Sequence, residues 1–284
     1  PIMPELPEVE VTARALRQAI SGCVFLGFRY SGKRLRHAFP RAALTRLIGM
    51  PVLSISRRAK YVLLEFKPGW IAVHLGMSGS IEQAAHANQT LGLHDHVLLQ
   101  FGPAAGAPRT LVFNDPRRFG SWQWLDRAQT ETFDLGVLLG DASSGLEPFD
   151  PRFTGQWLAE SARGRRVGIK QWLMSGSTVV GVGNIYACEA LFNSGIHPLR
   201  KASAISRVRY DRLANAVRQI LQAAIDSGGS TIQNFVGLDG EAGRYGQKHC
   251  VYGREGEPCP RCSRPIRRRV IGQRSTFFCH GCQR

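Results

Sequence analysis

Apolar residues at Val9, Ala13, Leu16 and Ile20 recur at the interval of one helix face and stop at Ser21-Gly22. Glycine suits the left-handed end of a helix, so the pattern predicts a first helix from about Pro7 to Ile20. The period then shortens. "CVFLGFRY", "PVLSIS", "KYVLLEF", "WIAVHL", "HVLLQF", "TLVFND" and "FGSWQWL" are β-rich runs parted by Gly, Pro and charged stretches, which predicts a sandwich of antiparallel sheets.

The pattern changes again near "GLEPFDPRF" (Gly145–Phe153), whose two prolines mark a linker. Beyond it "IKQWLM", "NIYACEALFNSG" and "RVRYDRLANAVRQILQAAIDSGG" read as helices, the last with Leu213, Val217, Ile220 and Ala224 along one face and Gly228-Gly229 ending it. From Ser230 regular periodicity fades, and the chain closes in a cysteine-bearing module. The expected class is therefore α+β in two or more domains.

Charge adds a partner to this outline. The formal net charge is +16, split as +4 over residues 1–149 and +12 over 150–284. Such a footprint fits a polyanion, and no basic amphipathic segment has the character of a membrane helix. No apolar run approaches the ~18 residues of a membrane span, and the polar, acidic opening is unlike a signal peptide, so a soluble, intracellular protein with reduced thiols is expected.

In that setting seven cysteines argue for metal ligation over a disulfide framework. Cys259, Cys262, Cys279 and Cys282 form C-x2-C-x16-C-x2-C, the spacing of a four-cysteine zinc ribbon with a hairpin between its knuckles. Four soft ligands leave no open position for a metal-bound water, so the metal is expected to be structural. Cys23, Cys188 and Cys250 are left as ordinary buried thiols. Arg261, Arg264, Arg267, Arg268, Arg269 and Arg274 crowd the same module, an arrangement favourable against phosphates.

Two further motifs carry chemistry. "GVGNIY" sets two glycines and Asn184 at a helix entrance, with Asn184 available as N-cap; it reads either as a plain capped turn or, beside Arg165, Arg166 and Lys170, as a phosphate site. "HLGMSG" and "NDPRRFG" place Met77, Arg117 and Phe119 near strand ends. They are either core residues and a surface charge, or a wedge that unstacks a base step; spacing does not decide between these.

Taken together, "PELPEVE", "RRAKY", "HLGMSG", "DPRRFG", "GVGNIYACEALF", "VYGREGEPCPRC" and "RSTFFCHGCQR" resemble the formamidopyrimidine-DNA glycosylases, from Pro4 to the C-terminus and in the family's order. The resemblance implies a β-sandwich domain with an N-terminal helix (4–135), a linker (136–152), a helix–two-turn–helix DNA-binding domain (153–230), and a lesion-capping loop with a zinc finger (231–284). It implies a monomeric base-excision repair enzyme, one structural zinc ion, double-stranded damaged DNA as partner and a cytoplasmic location. The implied activity is glycosylase and AP lyase on 8-oxoguanine and formamidopyrimidines. Endonuclease VIII-type action on oxidised pyrimidines is the alternative, although that relative usually has Gly where this chain has Leu6. A zinc-containing DNA-binding protein without catalysis is the other.

In this family the nucleophile is the secondary amine of an N-terminal proline. A proline within a chain is a tertiary amide with a delocalised lone pair and no proton to lose, so Pro4 requires removal of Pro1–Met3. Pro1 is followed by Ile2, which cannot act as the acid that Glu5 supplies after Pro4. By resemblance, Glu5 is the general acid/base, with Glu8 in support. Lys60 serves β-elimination and Arg274 serves δ-elimination. His74, His94, Arg117, Arg165, Asn184 and Tyr252 contact DNA, and Lys170 joins this DNA-binding set from the basic context beside "GVGNIY". Met77, Arg117 and Phe119 fill the void left by the extruded nucleotide, and Phe235–Tyr245 closes over the base. The chain departs from the family's pattern at Ser175-Gly176 and in "GRYGQKHC" (Gly243–Cys250).

Overall fold

A computed structural model describes residues 3–84, 86, 89–103, 107–129, 144–230 and 245–284. The chain divides into two compact units, one within residues 1–133 and 227–246, the other within 134–226 and 247–284.

The first unit opens with α1 (Leu6–Ile20), which buries Val9, Ala13, Leu16 and Ile20, the face predicted from sequence. Glu5 is its N-cap, Pro7 lies in its first turn, and Gly22 follows its end at φ 73°. Strands β1 (Val24–Tyr30), β6 (Asp95–Gly102), β7 (Arg109–Asn114) and β5 (Ser80–Gln83) form one antiparallel sheet in the order β1-β6-β7-β5. Strands β2 (Ser54–Arg58), β3 (Tyr61–Phe66), β4 (Gly69–His74) and β8 (Ser121–Asp126) form the second, in chain order. The predicted sandwich is therefore present.

Phe25, Val62, Leu64, Ile71, Val73, Val97, Phe101, Phe113 and Trp122 share one buried core with α1 and with α2 (Arg41–Leu47). At roughly 1.5–3 kcal/mol for each large apolar side chain removed from water, this core sets a rigid base for the loops it carries. Helix α2 and strand β5 are additions to the sequence reading.

The second unit holds α3 (Gly155–Ser161), α4 (Ile169–Met174), α5 (Asn184–Asn193) and α6 (Arg207–Asp226), followed by the hairpin β9 (Arg267–Ile271) and β10 (Arg274–Phe278). Helix α6 buries Leu213, Val217, Ile220 and Ala224 as its period requires, and packs on α3 and α5. The β9–β10 turn is a two-residue loop, Gly272-Gln273, with φ of 55° and 61°, the left-handed pair that matches strand twist. A small core of Cys188, Phe192, Val251, Cys259, Ile266 and Cys279 joins α5 to the cysteine module. Among the described residues no helix is long and apolar enough to cross a membrane.

Candidate active site and metal centre

The first unit contributes the opening corner of the chain. Pro4 is buried and Glu5 is 2% exposed, although a carboxylate at a helix start is ordinarily solvated. The two acids form a capping box: Glu8, itself fully buried, accepts from the Glu5 N–H at 2.9 Å. Its other oxygen accepts from the Ser230 N–H at 2.8 Å. Glu8 thus fixes the backbone that carries Glu5 and ties it to Ser230.

Lys60 and His74 fall in one neighbourhood. The β2–β3 turn sets Ala59 at φ 52°, an uncommon conformation for a residue with a side chain, and Lys60 completes the corner. Tyr61 pairs with His74 across β3 and β4, their rings 4.8 Å apart and edge-on. Burial lowers the His74 pKa from 6.5 to about 4, helped by the charges of Lys60 and Arg36. Nδ1 accepts from the Gly76 N–H at 2.9 Å, so the neutral ring carries its proton on Nε2.

Met77, Arg117 and Phe119 are brought together by two loops. Gly76, at φ 70°, lies so close to the Phe119–Gly120 backbone that a Cβ would stand 2.5 Å from the Phe119 carbonyl carbon and the Gly120 nitrogen. The Arg117 guanidinium lies 4.7 Å from the centroid of the Phe119 ring. Phe119 is 43% exposed and Met77 half-buried, so Phe119 is not a core residue. Beside them Asp115 is fully buried and Arg36 donates its backbone N–H to the Gly120 carbonyl. Neither was singled out from sequence: Asp115 reads as a turn residue, and Arg36 sits in a charged run without period. His94 is exposed, its carbonyl accepting from the Asp115 N–H.

The second unit gathers another set. Lys170 is only 1% exposed, with Nζ 2.5 Å from Asn184 Oδ1 and 2.6 Å from Thr276 Oγ1. The Asn184 amide donates to the Ser275 carbonyl at 2.9 Å and to the Tyr252 hydroxyl at 3.4 Å. Asn184 is therefore not the N-cap; Gly183 holds that position and Asn184 is the first helical residue, its side chain drawn off to the hairpin. The buried carboxylate of Glu189 accepts from the N–H groups of Cys250, Val251 and Tyr252 at 2.8–2.9 Å, fixing the backbone that carries Tyr252. Arg274, exposed at the start of β10, lies on the same strand face as Thr276. Arg165 is exposed ahead of α4, its carbonyl accepting from the Ser203 N–H.

The thiols of Cys259, Cys262, Cys279 and Cys282 lie within 4.8 Å of one another, with Sγ pairs at 3.8 Å and 3.4 Å. Zinc–sulfur bonds of ~2.3 Å in a tetrahedron set sulfurs ~3.8 Å apart, so these residues fit zinc. A bond from backbone at Arg264 lowers the Cys262 pKa, whereas burial raises those of Cys279 and Cys282, so the fit to zinc rests on the spacing of the four sulfurs. Cys23 and Cys188 are buried as expected, whereas Cys250 is only partly so. Ser175 and Gly176 end α4, Gly176 at φ 78°. Of the Phe235–Tyr245 stretch only Tyr245 falls within the described residues.

Comparison with known proteins gives a consistent match along the chain. Residues 3–122 match the formamidopyrimidine-DNA glycosylase N-terminal domain, 144–236 the formamidopyrimidine-DNA glycosylase H2TH domain, and 256–284 the zinc finger found in FPG and IleRS. The chain is 49% identical over 282 residues to the formamidopyrimidine-DNA glycosylase of Aromatoleum aromaticum, covering 99% of this chain and 100% of that one. It is 47% identical over 283 residues to that of Bordetella pertussis, with the same coverage. Among solved structures, a Lactococcus lactis FPG variant in complex with a Fapy-dG-containing DNA superposes with a TM-score of 0.88 at 31% identity, covering 99% of this chain and 100% of that one. The Thermus thermophilus protein gives 0.84 at 34% identity, covering 99% and 98%.

Proposed function

This chain belongs to the formamidopyrimidine-DNA glycosylase family, and from that premise we propose that it removes oxidised purines, 8-oxoguanine and formamidopyrimidines, from duplex DNA and then cleaves the strand as an AP lyase. The observation that carries this reading is the Pro4–Glu5 corner, where a 2%-exposed carboxylate directly follows the proline at the start of α1 and Glu8 holds its backbone.

With Pro4 as the first residue, its nitrogen lone pair forms a bond to C1′ while the glycosidic pair leaves with the base. The Pro4 N–H proton passes to the departing base, Glu5 gives a proton to O4′, which keeps the pair of the breaking C1′–O4′ bond, and the freed Pro4 lone pair closes the iminium to C1′. Loss of a C2′ proton then expels the 3′ phosphate, with Lys60 as proton donor; δ-elimination, assigned to Arg274, expels the 5′ phosphate. His74 donates Nε2–H to a phosphate as a neutral group. His94, Arg117, Arg165, Asn184 and Tyr252 hold the DNA, and buried Lys170 acts through Asn184.

Met77, Arg117 and Phe119 form the wedge that the cost of unstacking a base demands. One zinc ion on the four cysteines is structural, since it leaves no ligand position for substrate. The protein works as a monomer in the cytoplasm, its catalytic sandwich, DNA-binding helices and finger divided as the sequence implies.

Glu5→Gln removes a transferable proton at little change in shape. In single turnover on 8-oxoguanine duplex, with Pro4 at the terminus, it should slow base release by ~100-fold or more while DNA affinity stays within a few-fold. Unchanged release contradicts the role. Faster turnover by the parent protein on thymine glycol duplex than on 8-oxoguanine duplex would favour the pyrimidine specificity.

A further inference from the structure

Asp115 is fully buried at the end of β7, and its carboxylate reaches both loops that carry the wedge. One oxygen accepts from the Ser78 hydroxyl at 2.8 Å, in the turn that holds Met77, and from the Arg117 N–H at 3.2 Å. The other accepts from the Gly120 N–H at 2.7 Å, immediately after Phe119. Its backbone carbonyl accepts from the Arg118 N–H at 3.1 Å and lies 2.9 Å from His96 Nε2. Arg118, between the two wedge residues of this loop, sits at φ 56°, a conformation that persists only where the surroundings enforce it.

We propose that Asp115 is the positioning residue of the wedge: it locks the Met77 turn to the Arg117–Phe119 loop, so that the three side chains enter the base stack as one rigid body. This rests on the wedge reading given above. Rigidity matters here because an apolar side chain that gives way on contact cannot hold a base step open, whereas a preorganised one meets the unstacking cost without ordering itself first.

Asp115→Asn keeps the shape but replaces one accepting oxygen with an amide donor facing a backbone N–H or the Ser78 hydroxyl. Ser78→Ala is milder, removing one donor and leaving the carboxylate bonded to its own loop. Each variant, in the full chain with Pro4 at the terminus, is compared on 8-oxoguanine duplex and on duplex that already holds an abasic site, and each is combined with Phe119→Ala. Loss of one charge-assisted bond corresponds to ~10-fold, so Asp115→Asn should slow excision of the stacked lesion by at least that factor and abasic-site cleavage by less than ~3-fold, with Ser78→Ala between parent and Asp115→Asn. In the Phe119→Ala background either change should have far less effect, because both act through the same wedge.

Equal losses on both substrates, or effects that multiply fully with Phe119→Ala, would overturn the assignment. The wedge reading is judged separately: if Phe119→Ala and Met77→Ala alone slow both substrates equally, that reading fails whatever Asp115 does. Should Asp115→Asn not fold, Ser78→Ala carries the same comparison, and an unchanged substrate ratio there counts against the proposal.

Discussion

His74 and Lys170 show how single side chains are held in unusual states for a purpose. With a pKa lowered from 6.5 to about 4, native His74 stays neutral where the unfolded chain binds a proton. Its contribution is intact above pH 6.5 and is lost as the pH falls toward 4, by up to about 3 kcal/mol. Denaturant titrations at pH 7 and pH 4.5 should therefore show the parent losing about 2 kcal/mol more than His74→Gln; equal losses would contradict the burial argument. Lys170→Met leaves Asn184 Oδ1 and Thr276 Oγ1 without the donor that joins them. A buried bond of this kind predicts a stability loss of about 2 kcal/mol and weaker DNA binding through a freed Asn184. Unchanged stability and affinity would show that the amine does not organise this site. His74 is read as a DNA contact by resemblance and Lys170 from the basic context beside "GVGNIY", but burial is a property of the fold, and nothing in "GIKQ" distinguishes an interior lysine from a surface one.

At the scale of elements, long periodic segments were legible and short ones were not. Helices α1 and α6 declare themselves by four or more apolar positions on one face. Strand β5 has only Ser80–Gln83, with Ile81 its single large apolar residue, and pairs with β7 because the sheet supplies a partner. Helix α2 is seven residues with Pro40 before it and no side-chain cap, while α3 depends on Thr154 accepting from the Trp157 N–H. The zinc hairpin was readable from cysteine spacing, since tetrahedral thiolate geometry fixes two knuckles and leaves the chain between them to turn back. Chelation, or Cys279→Ser, should release one zinc per chain and weaken DNA binding by disordering the strand that bears Arg274. The β-sandwich unit should remain folded, as followed by tryptophan fluorescence and hydrogen exchange. Active protein with no zinc by metal analysis would contradict this.

Over the whole molecule, a net charge of +16 weighted to residues 150–284 matches a chain whose family acts on DNA. Motif order identified that family without coordinates. The bond from Ser78 to Asp115 was not legible, because residues 37 apart in sequence meet only when β4 and β7 lie in packed sheets. The proposed chemistry depends on Pro4, and not a lysine, being the nucleophile. It is tested most directly by borohydride trapping on 8-oxoguanine duplex, using chain that begins at Pro4 beside chain that retains Pro1–Met3. A covalent adduct that maps to Pro4 is expected in the first and none in the second, where the nitrogen is an amide. An adduct formed equally well with Pro1–Met3 retained would contradict it and move the chemistry to Pro1 or to a lysine such as Lys60.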